Sequence, residues 1–117
     1  MKKLYICGSF KFIREMEGLE RKLKGENIQF QTSKKMDSRG ILGCLKKIGD
    51  ADVVYIVNPG GYIGKSVSVD IGYAYGKNKP IYALHPVNDP PVMDLIDDIL
   101  SPEALIDFLK EGSAANV

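Results

Sequence analysis

A three-layer α/β fold, with helices on both faces of a mostly parallel sheet of four to five strands, is predicted by two features of this sequence. Val53-Val54-Tyr55-Ile56-Val57 is a continuous apolar run, as expected of a strand covered on both faces rather than one. Short apolar runs also alternate with segments whose apolar residues recur at helical spacing, the order that parallel strands joined by crossover helices require. At 117 residues and 12.9 kDa the chain suffices for one core and not for two. The expected domain is 1–111, with a frayed tail at 112–117.

Leu4 to Cys7 reads as the first strand, closed by Gly8-Ser9. Phe12, Ile13, Met16, Leu19 and Leu23 follow at a spacing near 3.6 and predict a helix that Gly25 ends. Ile28 to Thr32 is a second short strand, and Ile41, Leu42, Leu45 and Ile48 mark a second amphipathic helix that stops near Gly49. The 53–57 run is the expected centre of the sheet. Residues 66–76 fit two patterns, because Val67, Val69, Ile71 and Tyr73 alternate as a strand would. A helix is the expectation here, since Pro80 to Leu84 is another buried strand and a parallel strand must be reached through a crossover. Ser68, Gly72 and Gly76 would then form a small-residue stripe by which that helix lies close on the sheet. Past Pro91, the apolar Val92, Leu95, Ile96 and Ile99 precede a last helix, with Ser101 as cap, Pro102 at its first position and Leu105, Ile106 and Leu109 on its apolar face. The order is βαβαβαβ followed by helices, a Rossmann-like (flavodoxin-like) arrangement.

The bulk chemistry narrows the partners. With 16 Lys and Arg against 15 Asp and Glu there is no large single-sign field, so nucleic acid is not an expected partner. No apolar run approaches ~18 residues, and the opening Met-Lys-Lys-Leu-Tyr-Ile-Cys is too short in its apolar part for a signal peptide, so a cytoplasmic protein without membrane contact is expected. Cys7 and Cys44 lie in apolar contexts and read as buried, reduced thiols. With one histidine in the chain, no metal cage and no cofactor are expected.

Ligands of such sheets bind beyond the carboxyl ends of the strands, here at Gly8 to Phe10, near Thr32, at Asn58 to Ser66 and at His85. Glycines in these turns let backbone N–H groups and a helix N-terminus approach an anionic or sugar-like ligand. Gly8, Ser9, Phe10, Asn58, Gly61, Tyr62, Gly64 and Ser66 are therefore the candidate substrate-binding residues. Gly64-Lys65-Ser66 resembles the end of a phosphate-binding P-loop, but the glycine that motif requires five residues earlier falls on Pro59. Asp70 follows one turn into the expected helix. The helix dipole alone accounts for many aspartates so placed, yet this one is set among Gly, Ser and Tyr residues that suit sugar contact. Tyr5, on the first strand, would be a buried phenol in need of a partner, and a carboxylate near the adjacent strand end could supply it. Lys34, Lys35 and Arg39 read as a solvated basic loop, Tyr73 and Tyr75 as packing residues, and His85 as incidental.

Tyr5-Ile-Cys-Gly-Ser-Phe, Ala51-Asp-Val-Val and Ser66-x-x-x-Asp70-Ile-Gly-Tyr-Ala-x-Gly-Lys-x-x-Pro80 together resemble the nucleoside 2-deoxyribosyltransferase family over roughly residues 4 to 84. The first element is closer to the branch that hydrolyses deoxynucleoside 5′-monophosphates. The resemblance implies that Asp70 attacks the anomeric carbon of a 2-deoxyribose as a nucleophile, that Tyr5 orients it, and that Gly8, Ser9, Gly64 and Ser66 hold sugar hydroxyls or a 5′-phosphate. It also implies a small nucleoside or nucleotide as substrate and a homo-oligomer, dimer or higher. Three positions depart from the family: its nucleophile is normally glutamate, and its monophosphate branch has arginine where this chain has Lys11 and aspartate where it has Cys44. Aspartate is one methylene shorter, about 1.5 Å less reach. A non-catalytic nucleotide-binding or sensor module of the same fold is the alternative.

Overall fold

The computed structural model describes residues 2–33 and 39–114, with side chains as far as Glu111. Five parallel strands, β1 (Leu4–Cys7), β2 (Phe30–Thr32), β3 (Val53–Ile56), β4 (Ile81–Ala83) and β5 (Asp98–Ile99), lie in the order β2-β1-β3-β4-β5. The helices are α1 (Ile13–Gly25), α2 (Ile41–Asp50), α3 (Lys65–Gly76), the single turn α4 (Pro90–Met93) and α5 (Pro102–Ala114). Of the tail expected at 112–117, α5 takes in 112–114, and 115–117 lie outside the described residues.

Alternation along the strands divides the core in two. Leu4 and Ile6 of β1, with Val53, Tyr55 and Val57, pack against Met16, Leu19 and Leu23 of α1 and Leu105, Ile106 and Leu109 of α5. Tyr5, Cys7, Val54 and Ile56 face the other way, against Cys44 and Ile48 of α2 and Val67, Ile71 and Ala74 of α3. Both faces of β1 and β3 are therefore buried, which is why their sequences read as unbroken apolar runs. Each fully buried aliphatic side chain contributes about 1.5–3 kcal/mol.

The crossover after β1 runs on one face and those after β2 and β3 on the other, so the chain reverses direction between β1 and β3. A crevice opens there, beyond their carboxyl ends.

Three expectations are corrected. Ile13 and Leu42 continue the apolar spacing but point outward, at 40% and 66% exposure. Gly72 and Gly76 face open space rather than the sheet, and α3 lies on it through Val67, Asp70, Ile71 and Ala74. The second strand starts at Phe30, with Ile28 buried ahead of it. Between α4 and α5 the chain also adds β5, where Asp97 Oδ2 accepts from Ile81 N at 2.7 Å and Leu100 N donates to Ala83 O at 2.9 Å. Ser101 Oγ caps α5 by accepting from Ala104 N at 3.1 Å, as expected. Among the described residues no helix is long and apolar enough to cross a membrane.

Candidate active site

Two turns build the crevice. At the end of β1, Gly8 comes so close to β3 that a Cβ there would lie 2.7 Å from Val57 O, which excludes any larger residue without a shift of backbone. Its N–H donates to Ser33 Oγ at 3.4 Å, so Gly8 gives the site space more than a free donor. Ser9 caps the 3-10 turn at Phe10–Phe12 by accepting from Lys11 N at 3.4 Å, and its hydroxyl proton remains available to a ligand.

The turn after β3 is held from within. Asn58 is fully buried, and its amide donates to His85 O at 2.8 Å while its Oδ1 accepts from His85 N at 3.0 Å. Gly61 has φ +85°, and a Cβ on it would meet Asn88 Oδ1 and Pro86 O. These bonds spend the polar groups of Asn58 on joining the ends of β3 and β4. Gly64 then leads into α3 in extended backbone with no side-chain cap, leaving the first-turn N–H groups open at the crevice.

The resulting cleft has a volume of about 410 Å³ and is lined by Gly8, Ser9, Phe10, Ser33, Tyr62, Gly64, Lys65, Ser66, Val67 and Asp70. That volume is in the range of small-molecule sites. A larger hollow of about 520 Å³, lined by residues such as Lys3, Gln29, Lys47 and Asp50, lies at the amino ends of the strands. It lacks a buried carboxylate, and it is at the wrong end of a parallel sheet for a ligand.

Asp70 is 2% exposed, and its Oδ1 is buried with no hydrogen-bond partner. Burial pushes its carboxyl up to about 7. Tyr5 is fully buried on the same face of the sheet, and its hydroxyl has no nitrogen or oxygen partner, only the Cys44 thiol, a weak one, nearby. Burial raises the phenol far above its ordinary value, and nearby Cys7, Asp70 and Cys44 add to the rise. The Cys7 thiol is raised by burial, by Asp70 and by Cys44. A carboxyl group on the cleft wall is thus backed by one phenol and two thiols, and no fixed cation among them neutralises it.

Comparison with known proteins adds the fold. The sequence matches no protein-family model and no curated protein. A conserved protein from Enterococcus faecalis V583 superposes with a TM-score of 0.70 at 17% identity, over 95% of this chain and 98% of that one. A 2-deoxyribosyltransferase from Bacillus psychrosaccharolyticus gives 0.63 at 14%, over 85% of each chain. A CMP N-glycosidase from Clostridium botulinum gives 0.60 at 11%, over 93% of this chain and 98% of that one. This chain shares their fold. The likeness to the deoxyribosyltransferase family read from three motifs is therefore matched in the course of the backbone.

Within that shared fold, Gly8, Ser9, Phe10, Tyr62, Gly64, Ser66 and Asp70 come together on the cleft. Tyr5 stands behind Asp70 without lining it. Asn58 and Gly61, expected to bind substrate, do not reach the cleft, because both are committed to the turn's own bonding and packing. The exposed His85 contributes its backbone to Asn58 rather than its ring to the site. Lys34 and Lys35 lie outside the described residues, and the exposed Arg39 is not on the cleft wall.

Ser33, Lys65 and Val67, not among the expected substrate-binding residues, also line the cleft. The only signal for Ser33 was its place just past the end of β2. Among the described residues no three His, Cys, Asp or Glu side chains are grouped to hold a metal ion.

Proposed function

We propose that this protein cleaves or transfers the N-glycosidic bond of 2-deoxynucleosides or their 5′-monophosphates, with Asp70 as the nucleophile. The observation that carries the reading is a carboxylate on the wall of a small-molecule-sized cleft, with a buried oxygen that has no partner, beside a buried phenol with no nitrogen or oxygen partner. Buried polar atoms are nearly always paired, so two neighbouring exceptions mark a place kept for a reacting ligand. The fold shared with a 2-deoxyribosyltransferase and a CMP N-glycosidase supports the same class of chemistry.

In the first step the ionised Asp70 carboxylate attacks C1′ of the deoxyribose, and the C1′–N bond breaks with its electron pair leaving on the base. In the second, a water molecule or another base attacks C1′ and releases the carboxylate. Splitting the displacement in two is the logic of retaining glycosidases. Tyr5 packs beside the carboxylate and orients it, while Ser9, Ser66 and the first-turn amides after Gly64 hold sugar hydroxyls or a 5′-phosphate.

The test is incubation with each deoxynucleoside and each 5′-monophosphate, with and without an acceptor base, followed by chromatography of the bases. Release by the wild type and none by Asp70→Asn supports the reading. No release, or equal release by the variant, overturns it.

One observation favours a second reading. Asp70 combines a side chain shorter than glutamate with 2% exposure, so its carboxylate is recessed. A non-catalytic module of the same fold would bind the nucleotide without turnover, and Asp70→Glu would then not produce activity.

The same proposal includes a homo-oligomer. Support comes from the outer face of α3, where Val69 and Tyr75 are 51% and 57% exposed beside the open Gly72 and Gly76. A monomeric mass by light scattering would remove this part.

A further inference from the structure

At the mouth of the cleft, the turn after β1 and the turn after β3 meet through side chains. The Lys11 ammonium lies 3.5 Å from the centroid of the Tyr62 ring and 5.4 Å from that of Phe12. The Phe12 and Tyr62 rings meet edge to face with centroids 6.0 Å apart. Tyr62 lines the cleft, whereas Lys11 and Phe12 do not. With 42% of its surface exposed, Tyr62 is otherwise thinly supported.

We propose that Lys11 is a positioning residue that fixes the Tyr62 ring as a flat wall for the planar base of the ligand. This rests on the nucleoside reading of the cleft. An ammonium over an exposed aromatic ring shifts an equilibrium about two- to fivefold. A ring already held loses less side-chain freedom when a ligand arrives, so the contact strengthens binding without touching the ligand. The role differs in kind from that of a phosphate contact. A lysine paired with phosphate discriminates between ligands with and without that group, whereas one that positions the ring serves both equally.

Lys11→Met removes the charge and keeps the length, and Lys11→Arg retains a cation that stacks on aromatic faces. Two measurements decide. In the free protein, carbon-resolved NMR should show the Lys11 ε-methylene shifted upfield by the ring, and Lys11→Met should move the Tyr62 ring resonances while Lys11→Arg leaves them near their place. In titrations with 2′-deoxycytidine, 2′-deoxyadenosine and their 5′-monophosphates, Lys11→Met should weaken the unphosphorylated and phosphorylated ligands by the same two- to fivefold, with recovery in Lys11→Arg.

A loss confined to the monophosphates makes Lys11 a phosphate contact and overturns the proposal. Unmoved Tyr62 resonances in Lys11→Met overturn it on the free protein alone. A wild type that binds none of the four ligands overturns the nucleoside reading and the base-wall role with it, even where the resonances show Lys11 holding the ring.

Discussion

The Asp70 carboxylate and the Tyr5 hydroxyl are neighbours on the α2–α3 face of the sheet, and each carries a buried oxygen with no nitrogen or oxygen partner. Unpaired polar atoms of this kind cost about 1–3 kcal/mol each. The fold keeps two of them side by side at the cleft.

Asp70 ties stability to pH. Its carboxyl rises from an ordinary 3.8 to about 7, so between these values the folded protein holds a proton that the unfolded chain has lost. Stability is therefore full below about pH 4 and falls as pH rises through 7, by about 4 kcal/mol from this group. Asp70→Asn removes the charge, so denaturation midpoints should show it more stable than the wild type at pH 8, with the gain disappearing at pH 4. The opposite trend would mean that an unseen cation neutralises the carboxylate.

Activity should run against stability. A nucleophilic carboxylate must be ionised, so the rate with a deoxynucleoside should climb with pH and level off above about 7. A pH–rate profile already flat at pH 5 would remove Asp70 as the nucleophile.

Tyr5→Phe should separate the two costs. Losing a buried hydroxyl that has no nitrogen or oxygen partner should leave the protein as stable, or more stable by about 1 kcal/mol, in thermal denaturation. The carboxylate loses the hydroxyl that packs beside it, and turnover should drop ~10- to 100-fold from misplacement. The rising limb of the pH–rate profile should also move to higher pH. Unchanged turnover would make Tyr5 a core residue and nothing more.

Asn58→Ala and Ser66→Ala should behave as a contrasting pair. The first breaks both bonds to the His85 backbone and should cost about 2 kcal/mol of stability. The second alters an exposed residue on the cleft wall and should change stability by less than about 0.5 kcal/mol while weakening ligand binding, as calorimetry would show.

Gly8→Ala introduces a Cβ 2.7 Å from Val57 O and should cost about 1–3 kcal/mol as the ends of β1 and β3 separate. Because that separation widens the cleft, ligand binding should fall with it.

Where core and periodicity agree, the sequence was legible. The four longer strands, the helices α1, α2 and α5 and the Ser101 cap all follow from apolar spacing and capping chemistry, whereas α3, whose apolar residues alternate as in a strand, follows from the crossover that a parallel β4 requires. Ile13 and Leu42 misled because a spacing near 3.6 does not say how wide the buried face is, and here each falls beyond its edge. β5 was missed because two residues, one of them Asp98, are too few to show a period, and its pairing depends on Asp97 and Leu100. At the site, Asp70 stood out by its setting. Asn58 and Gly61 stood in the same turn and were read alike, although their roles depend on His85, Pro86 and Asn88, more than 20 residues away. Ser33 depends on the neighbouring strand in the same way.

The division of β1 between two cores makes the chemistry a matter of odd and even positions. Residues 4 and 6 serve the α1–α5 side, while 5 and 7 serve the α2–α3 side, where Asp70 lies. All four are apolar in character, so a strand slipped by one residue would still fill both cores with hydrophobic groups. It would put an aliphatic side chain beside Asp70 and send the phenol to the far face. The packing of this protein tolerates either parity better than the proposed chemistry does, so a one-residue insertion ahead of Leu4 that shifted the strand should yield a folded chain with a mute cleft.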